Sequence, residues 1–138
     1  MTERRIEQIH FVIEVPRWGF VKRGARGEVD FISPFPCPFN YGSIVGSEGA
    51  DGDPDDVIVL GPRLPRGFVG TLPLRGRIRF VDRGVLDDKM ICADHPLDWG
   101  VVMVLRLFFW VYVWPKKIWN WSCGATRFEG LEIYNGEP

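Results

Sequence analysis

Glycine and proline punctuate this chain from end to end. With 16 glycines and 11 prolines among 138 residues, most segments are too short for anything but strands joined by turns. Gly61-Pro62, Pro65-Arg66-Gly67 and Gly76 are examples. Between such breaks, β-branched residues and alternation predict strands at 9–15, 56–60 and 77–81, with weaker signals at 28–32 and 89–93. A mainly β (α+β) fold follows, as a small barrel or sandwich. Residues 97–113 are the exception. Their valines favour strand, but their length and the spacing of Phe108, Phe109 and Tyr112 predict a helix with one apolar face, which Pro115 should end. The tail, with Trp119, Trp121, Phe128 and Tyr134, reads as an irregular flap or a last strand.

Residues 1–138 are enough for one domain with a real core, and no linker or repeat divides them. Seventeen basic against eighteen acidic side chains leave a net charge of −1, so no global field collects nucleic acid or anionic lipid. Cys37, Cys92 and Cys123 form no CxxC pair and fit a reduced, cytoplasmic setting. The charged N-terminus lacks the apolar core of a signal peptide. The apolar run 101–114 is interrupted by Arg106 and falls short of the ~20 residues a spanning helix needs. It should be buried in protein and not in lipid.

Chemistry concentrates in two acidic segments. Asp51-Gly52-Asp53-Pro54-Asp55-Asp56 puts four carboxylates in six residues ahead of a strand. Charges held this close call for bound protons or cations, and hard divalent ions prefer such oxygens. A solvated surface turn is the plain alternative. A calcium loop of EF-hand type is excluded, because Asp56 and Pro62 stand where it needs glycine and glutamate. The second segment, Asp82-Arg83-Gly84-Val85-Leu86-Asp87-Asp88-Lys89, adds a lysine able to hold phosphate as a point charge. If neighbouring strands carry both segments to one end of a barrel, carboxylates for metal meet a cation for phosphate, which suggests phosphoryl transfer to water. His10 and His95 are isolated, with no HExxH pattern or nearby second ligand, and read as structural or surface residues and not as metal ligands; no phosphate-loop or dinucleotide-fold glycine pattern occurs.

Together with Asn40-Tyr41-Gly42, Val12-Ile13-Glu14-Val15-Pro16 and Phe108-Phe109-x-x-Tyr112, in this order, the two segments resemble soluble inorganic pyrophosphatase of the Mg²⁺-dependent family I type, across roughly residues 10–113. The resemblance implies a five-stranded OB-like β-barrel with a C-terminal helical segment and a site at the barrel mouth. It implies Mg²⁺-dependent hydrolysis of pyrophosphate to two phosphates, with two or more Mg²⁺ ions. By position, Asp51, Asp56, Asp82 and Asp87 match metal ligands, and Asp53 matches the acceptor of the attacking water's proton. Lys22, Tyr41, Lys89 and Tyr112 match phosphate-binding positions, with Lys89 and Tyr112 joining Asp53 in catalysis. Glu14 matches a residue that supports the site through water. The implied partners are pyrophosphate and phosphate, with no nucleic acid and no membrane; self-association stays open.

Three departures bear on activity. Phe31 follows Val29-Asp30 where the family has an arginine, Val113 stands in place of the lysine after the helix tyrosine, and Gly24 stands where a glutamate is usual. The metal side is intact and the phosphate side is depleted. A catalytically impaired homologue that holds metal and a phosphorylated ligand or a protein partner is therefore the alternative expectation. Arg23, Arg83, Lys116 and Lys117 are the candidate replacement cations. An OB-type nucleic-acid binder using the many aromatics is disfavoured by the acidic loops.

Overall fold

The computed structural model describes residues 7–19, 21–23, 29–32, 37–47, 55–82, 84–119 and 127–134. In chain order the elements are β1 (Gln8–Val15), β2 (Val21–Arg23), β3 (Val29–Ile32), β4 (Asn40–Ile44), β5 (Asp56–Val59), β6 (Val69–Asp82), β7 (Val85–Leu86), β8 (Lys89–Cys92), α1 (Trp99–Trp119) and β9 (Arg127–Ile133).

Five strands close a barrel. The hydrogen-bonded order is β1-β4-β5-β8-β6, and β6 returns to pair with β1. Every pairing in this ring is antiparallel except β5 with β8. Taking only the barrel strands in sequence, the path is 1-2-3-5-4-1, the OB-type connectivity expected above. Short β7 and the tail strand β9 extend β6, and β2 pairs separately with β3. The tail thus supplies a last strand.

Two apolar clusters build the core. The first draws on all five barrel strands and contains Ile9, Phe11, Ile13, Val57, Val59 and Cys92, with Ile44, Leu72, Leu74 and Met90 against it. The second lies between the barrel wall and α1, where Ile58, Ile78, Phe80 and Ile91 meet Leu105 and Phe109. Alternation sends Val57 and Val59 to the first cluster and Ile58 to the second. On β6 both sets are even-numbered: Leu72 and Leu74 join the first, Ile78 and Phe80 the second. A register shift between Leu74 and Gly76 reverses the strand's facing, as a bulge does.

Helix α1 starts on Asp98, whose side-chain oxygen accepts the Val101 amide at 2.8 Å, an N-cap bond. Its buried face, Val102, Leu105 and Phe109, covers the barrel. Each such side chain contributes about 1.5–3 kcal/mol by burial. The opposite face, with Trp99, Met103, Leu107 and Trp110, stays exposed, so the segment is buried in protein on one side only. No helix among the described residues is long and apolar enough to cross a membrane.

Pro115 does not end the helix, which continues to Trp119. Proline forfeits its own N–H and crowds the carbonyl four residues back, a cost of about 3 kcal/mol when interior. It does not forbid the turn that follows. Lys116 and Lys117 come next, cations of the kind a C-terminal turn favours through the helix dipole.

Cys37 and Cys92 are buried free thiols. Burial pushes each up from 9.0 to about 12, against a backbone hydrogen bond from Phe39 at Cys37 and aided by Glu7 at Cys92. The folded chain therefore keeps protons that the unfolded chain sheds above pH 9. Their contribution to stability is complete below that pH and is lost as pH rises towards about 12. In urea unfolding between pH 9 and 11, Cys92→Ala should flatten the decline of stability by about one proton's worth, roughly 1.4 kcal/mol per pH unit. An unchanged slope would contradict the burial of this thiol.

Candidate functional site

Parallel pairing of β5 with β8 sets Asp56 opposite Lys89, Val57 opposite Met90 and Ile58 opposite Ile91. Both strands therefore begin at the same end of the barrel, so Asp56, Asp87 and Lys89 stand on one rim. The antiparallel β6 reaches this rim with its C-terminal end, Ile78 being opposite Lys89 and Asp82 beyond it. Alternation places Asp56 on the face of Ile58, and Lys89 on the face of Ile91, which is the side covered by α1.

Here Asp56 and Asp87 meet. The Lys89 ammonium donates to Asp56 Oδ2 at 2.6 Å and to Asp87 Oδ2 at 2.7 Å. The lysine side chain is 3% exposed, against 14% and 17% for the two aspartates. Its nitrogen sits 5.4 Å from the centre of the Phe80 ring and 6.0 Å from that of Tyr41, within cation–π range. Burial alone would pull this amine down. The charges of Asp56 and Asp87, with their hydrogen bonds, outweigh it and hold the group above its ordinary value and protonated.

The second acidic segment is folded to present Asp87. Gly84 turns the chain at φ 77°, a left-handed conformation that glycine adopts without strain. The returning strand is then fastened to β6. The Asp87 amide donates to the Phe80 carbonyl at 2.9 Å, and Asp88 Oδ1 accepts the Phe80 amide at 3.1 Å. The spacing from glycine through the paired aspartates to lysine thus fits one tight hairpin.

On the facing strands, β4 passes so close to β1 that a Cβ on Gly42 would lie 1.9 Å from the Val12 carbonyl oxygen. The glycine after Tyr41 is needed for that approach. The β1–β4 register shifts between Ile13 and Val15, so Glu14 lies in the irregularity, beside the position where Val15 faces Tyr41. Asn40 is fully buried. Its Oδ1 accepts the amides of Arg17 and Leu64 at 3.0 and 2.9 Å, and its Nδ2 donates to the carbonyls of Val59 and Pro62 at 3.2 and 2.9 Å. Sequence reasoning gave it no role of its own, and its place beside Tyr41 was the only local signal.

Of the candidate residues, Asp56, Asp87, Lys89 and Tyr41 are brought together. Asp51 and Asp53 lie outside the described residues, as do Gly24 and Arg83. Lys22 lies in β2, opposite Phe31 of β3, so the position that departs from the family arginine is the cross-strand partner of a candidate phosphate ligand. Asp82 closes β6, and Tyr112 and Val113 lie in α1. His10 and His95 are exposed; His10 bonds Thr71 and His95 its neighbour Asp94.

Asp56, Asp87 and Lys89 together sum to a charge of −1, and the metal-donor atoms they offer are hard carboxylate oxygens. That combination fits a divalent cation of the Mg²⁺ class. Among the described residues, no group of three or more His, Cys, Asp or Glu side chains forms a complete metal cluster. Asp56 and Asp87 are the described residues that could begin one.

The chain as a whole is similar to known proteins. A family model described as inorganic pyrophosphatase matches residues 11–100. The inorganic pyrophosphatase of Gluconobacter oxydans (strain 621H) is 35% identical over 96 residues, covering 63% of this chain and 55% of that protein. Soluble inorganic pyrophosphatase 2 of Chlamydomonas reinhardtii is 38% identical over 96 residues, covering 62% and 50%. The chain spans about half the length of the curated relatives it matches. Among solved structures, the inorganic pyrophosphatase from Thermus thermophilus superposes with a TM-score of 0.74 at 26% identity, over 96% of this chain and 86% of that one. The enzyme from Neisseria gonorrhoeae gives 0.72 at 25%, over 91% and 82%. With a family match across most of its length and the closed barrel to accompany it, the chain belongs to the inorganic pyrophosphatase family.

Proposed function

We propose that this protein hydrolyses inorganic pyrophosphate to two phosphates in a Mg²⁺-dependent reaction, with residues 1–138 acting as one unit in the cytoplasm. The observation that carries this reading is the meeting of Asp56 and Asp87, from two acidic segments, on the single ammonium of Lys89.

In this reading Asp51, Asp56, Asp82 and Asp87 hold two or more Mg²⁺ ions. When bound, the ions cancel charge on the diphosphate and make a water acidic enough to attack near neutral pH. Asp53 orients that water and accepts its proton. Lys22, Tyr41, Lys89 and Tyr112 bind the phosphate oxygens, and Lys89 and Tyr112 stabilise charge on the departing phosphate. Glu14 supports the site through water from its irregular position on β1.

One further observation favours an impaired variant of the same chemistry. Phe31 lies directly across from Lys22 in the β2–β3 register, at the position where the resemblance implies a phosphate-binding arginine. Lost charge-assisted contacts cost about 1.5–3 kcal/mol each, and ~1.4 kcal/mol is tenfold in rate. Such a protein would keep metal and a phosphorylated ligand or a protein partner without rapid turnover.

Phosphate release from pyrophosphate with and without Mg²⁺, for the wild-type chain and Asp53→Asn, separates the readings. Hydrolysis predicts Mg²⁺-dependent release that falls at least about 100-fold in the variant. Retention of metal and pyrophosphate with equal, background release from both chains would leave only the impaired homologue.

A further inference from the structure

We propose that Lys89 is the built-in counter-ion of the carboxylate pair, displaced by an incoming divalent cation and only then delivered to phosphate. The inference deepens the hydrolytic reading and rests on its assignment of Asp56 and Asp87 to metal.

Two of the three N–H donors of the ammonium go to Asp56 Oδ2 and Asp87 Oδ2, at 2.6 and 2.7 Å. The side chain is 3% exposed and its nitrogen rests against the rings of Phe80 and Tyr41. An ammonium so placed faces carboxylates, and its remaining capacity is too small to grip a multiply charged anion. A dication seated on the same oxygens would take positions about 2.0–2.1 Å from them. It would then stand within a few ångströms of the lysine charge in a buried site, where like charges repel strongly. One of the two cations must leave the pair.

The consequence is an order of events. Without metal, Lys89 offsets one of the two carboxylate charges and limits their mutual repulsion. Metal takes over that role, and the freed ammonium becomes available to a phosphate brought to the same rim. The lysine therefore lowers intrinsic metal affinity, although it aids substrate binding later. A lysine that merely faces substrate would not do so.

Calorimetry with Mn²⁺ and no pyrophosphate tests this on the wild-type chain and Lys89→Met, a side chain of similar length that packs on the same rings. Removing a competing positive charge at hydrogen-bond distance should tighten Mn²⁺ binding at least about tenfold. Lys89→Gln gives the same comparison if the methionine variant does not fold. In the wild-type chain, lysine acetylation mapped by mass spectrometry should be slow at Lys89 without metal and several-fold faster with saturating Mn²⁺. Unchanged or weaker Mn²⁺ binding by the variant, or equal protection of Lys89 with and without metal, overturns the proposal. Tight Mn²⁺ binding with both responses but no phosphate release upholds displacement and overturns hydrolysis. Mn²⁺ binding by neither chain overturns both.

Discussion

Asp56→Asn is expected to lower Mg²⁺-dependent phosphate release by about 10³-fold or more, the scale on which removing a preorganised electrostatic group acts. The substitution keeps the shape of the side chain and removes its charge at the start of β5, where the Lys89 ammonium lies 2.6 Å away. It leaves Asp87 in place at 2.7 Å. Lys89 would therefore remain paired, and the cost falls below the 3–5 kcal/mol typical of stripping a buried charge of its partner. About 1–3 kcal/mol is expected, read as a Tm lower by roughly 3–12 °C for a chain of this size. Loss of activity in a folded protein, checked by phosphate release and by thermal unfolding of one preparation, distinguishes a chemical role from a structural one. A variant that retains a tenth of the wild-type rate would contradict the place of Asp56 in the chemistry.

Asn40→Ala reverses this pattern. The side chain serves two amide donors, at Arg17 and Leu64, and two carbonyl acceptors, at Val59 and Pro62. It ties the chain after β1, the end of β5 and the 61–64 turn to the start of β4. Alanine supplies no replacement for any of the four contacts, and the side chain it removes is fully buried. Unsatisfied groups cost about 1–3 kcal/mol each, less where water can enter. Allowing for water at the turn, a loss of about 3–5 kcal/mol is expected, lowering Tm by roughly 10–20 °C. Metal should restore little of it, because Asn40 pairs with Val59, at the opposite end of β5 from Asp56. A Tm within about 3 °C of wild type would contradict the hydrogen-bond assignment.

These two residues also mark what could be read from the sequence. The acidic segments were legible because their logic is local: glycine for the turn, aspartates for the cation, a strand directly after. The meeting of Asp56 with Asp87 and Lys89 has no such local signal, since it depends on β5 and β8 being parallel neighbours, with Asp56 and Lys89 33 residues apart. The same distance hid the state of Lys89. Its spacing from the aspartates suggested a lysine open to phosphate, and nothing nearby announced that Asp56 would also claim it.

Fold class and the C-terminal helix followed from punctuation and periodicity. The extent of β6 did not. Alternation was plain at 77–81, whereas the strand runs from Val69 through Gly70, Pro73 and Gly76, residues that argue against a strand when taken alone. The register shift at 74–76 accommodates them while turning the strand from the first core cluster to the second. Likewise Gly42 read as part of a motif, and its physical reason, the backbone of β1 against it, lies thirty residues earlier. A proline inside a helical pattern predicts a stop, yet α1 carries Pro115 and runs on to Trp119.

Anomalous diffraction from crystals soaked in Mn²⁺ tests the shared pocket most directly. Density for at least one ion contacting carboxylate oxygens of both Asp56 and Asp87, with the Lys89 ammonium moved off them, is the expected result. Ions bound to one acidic segment alone, or none between the two while Lys89 keeps both carboxylates, would contradict it.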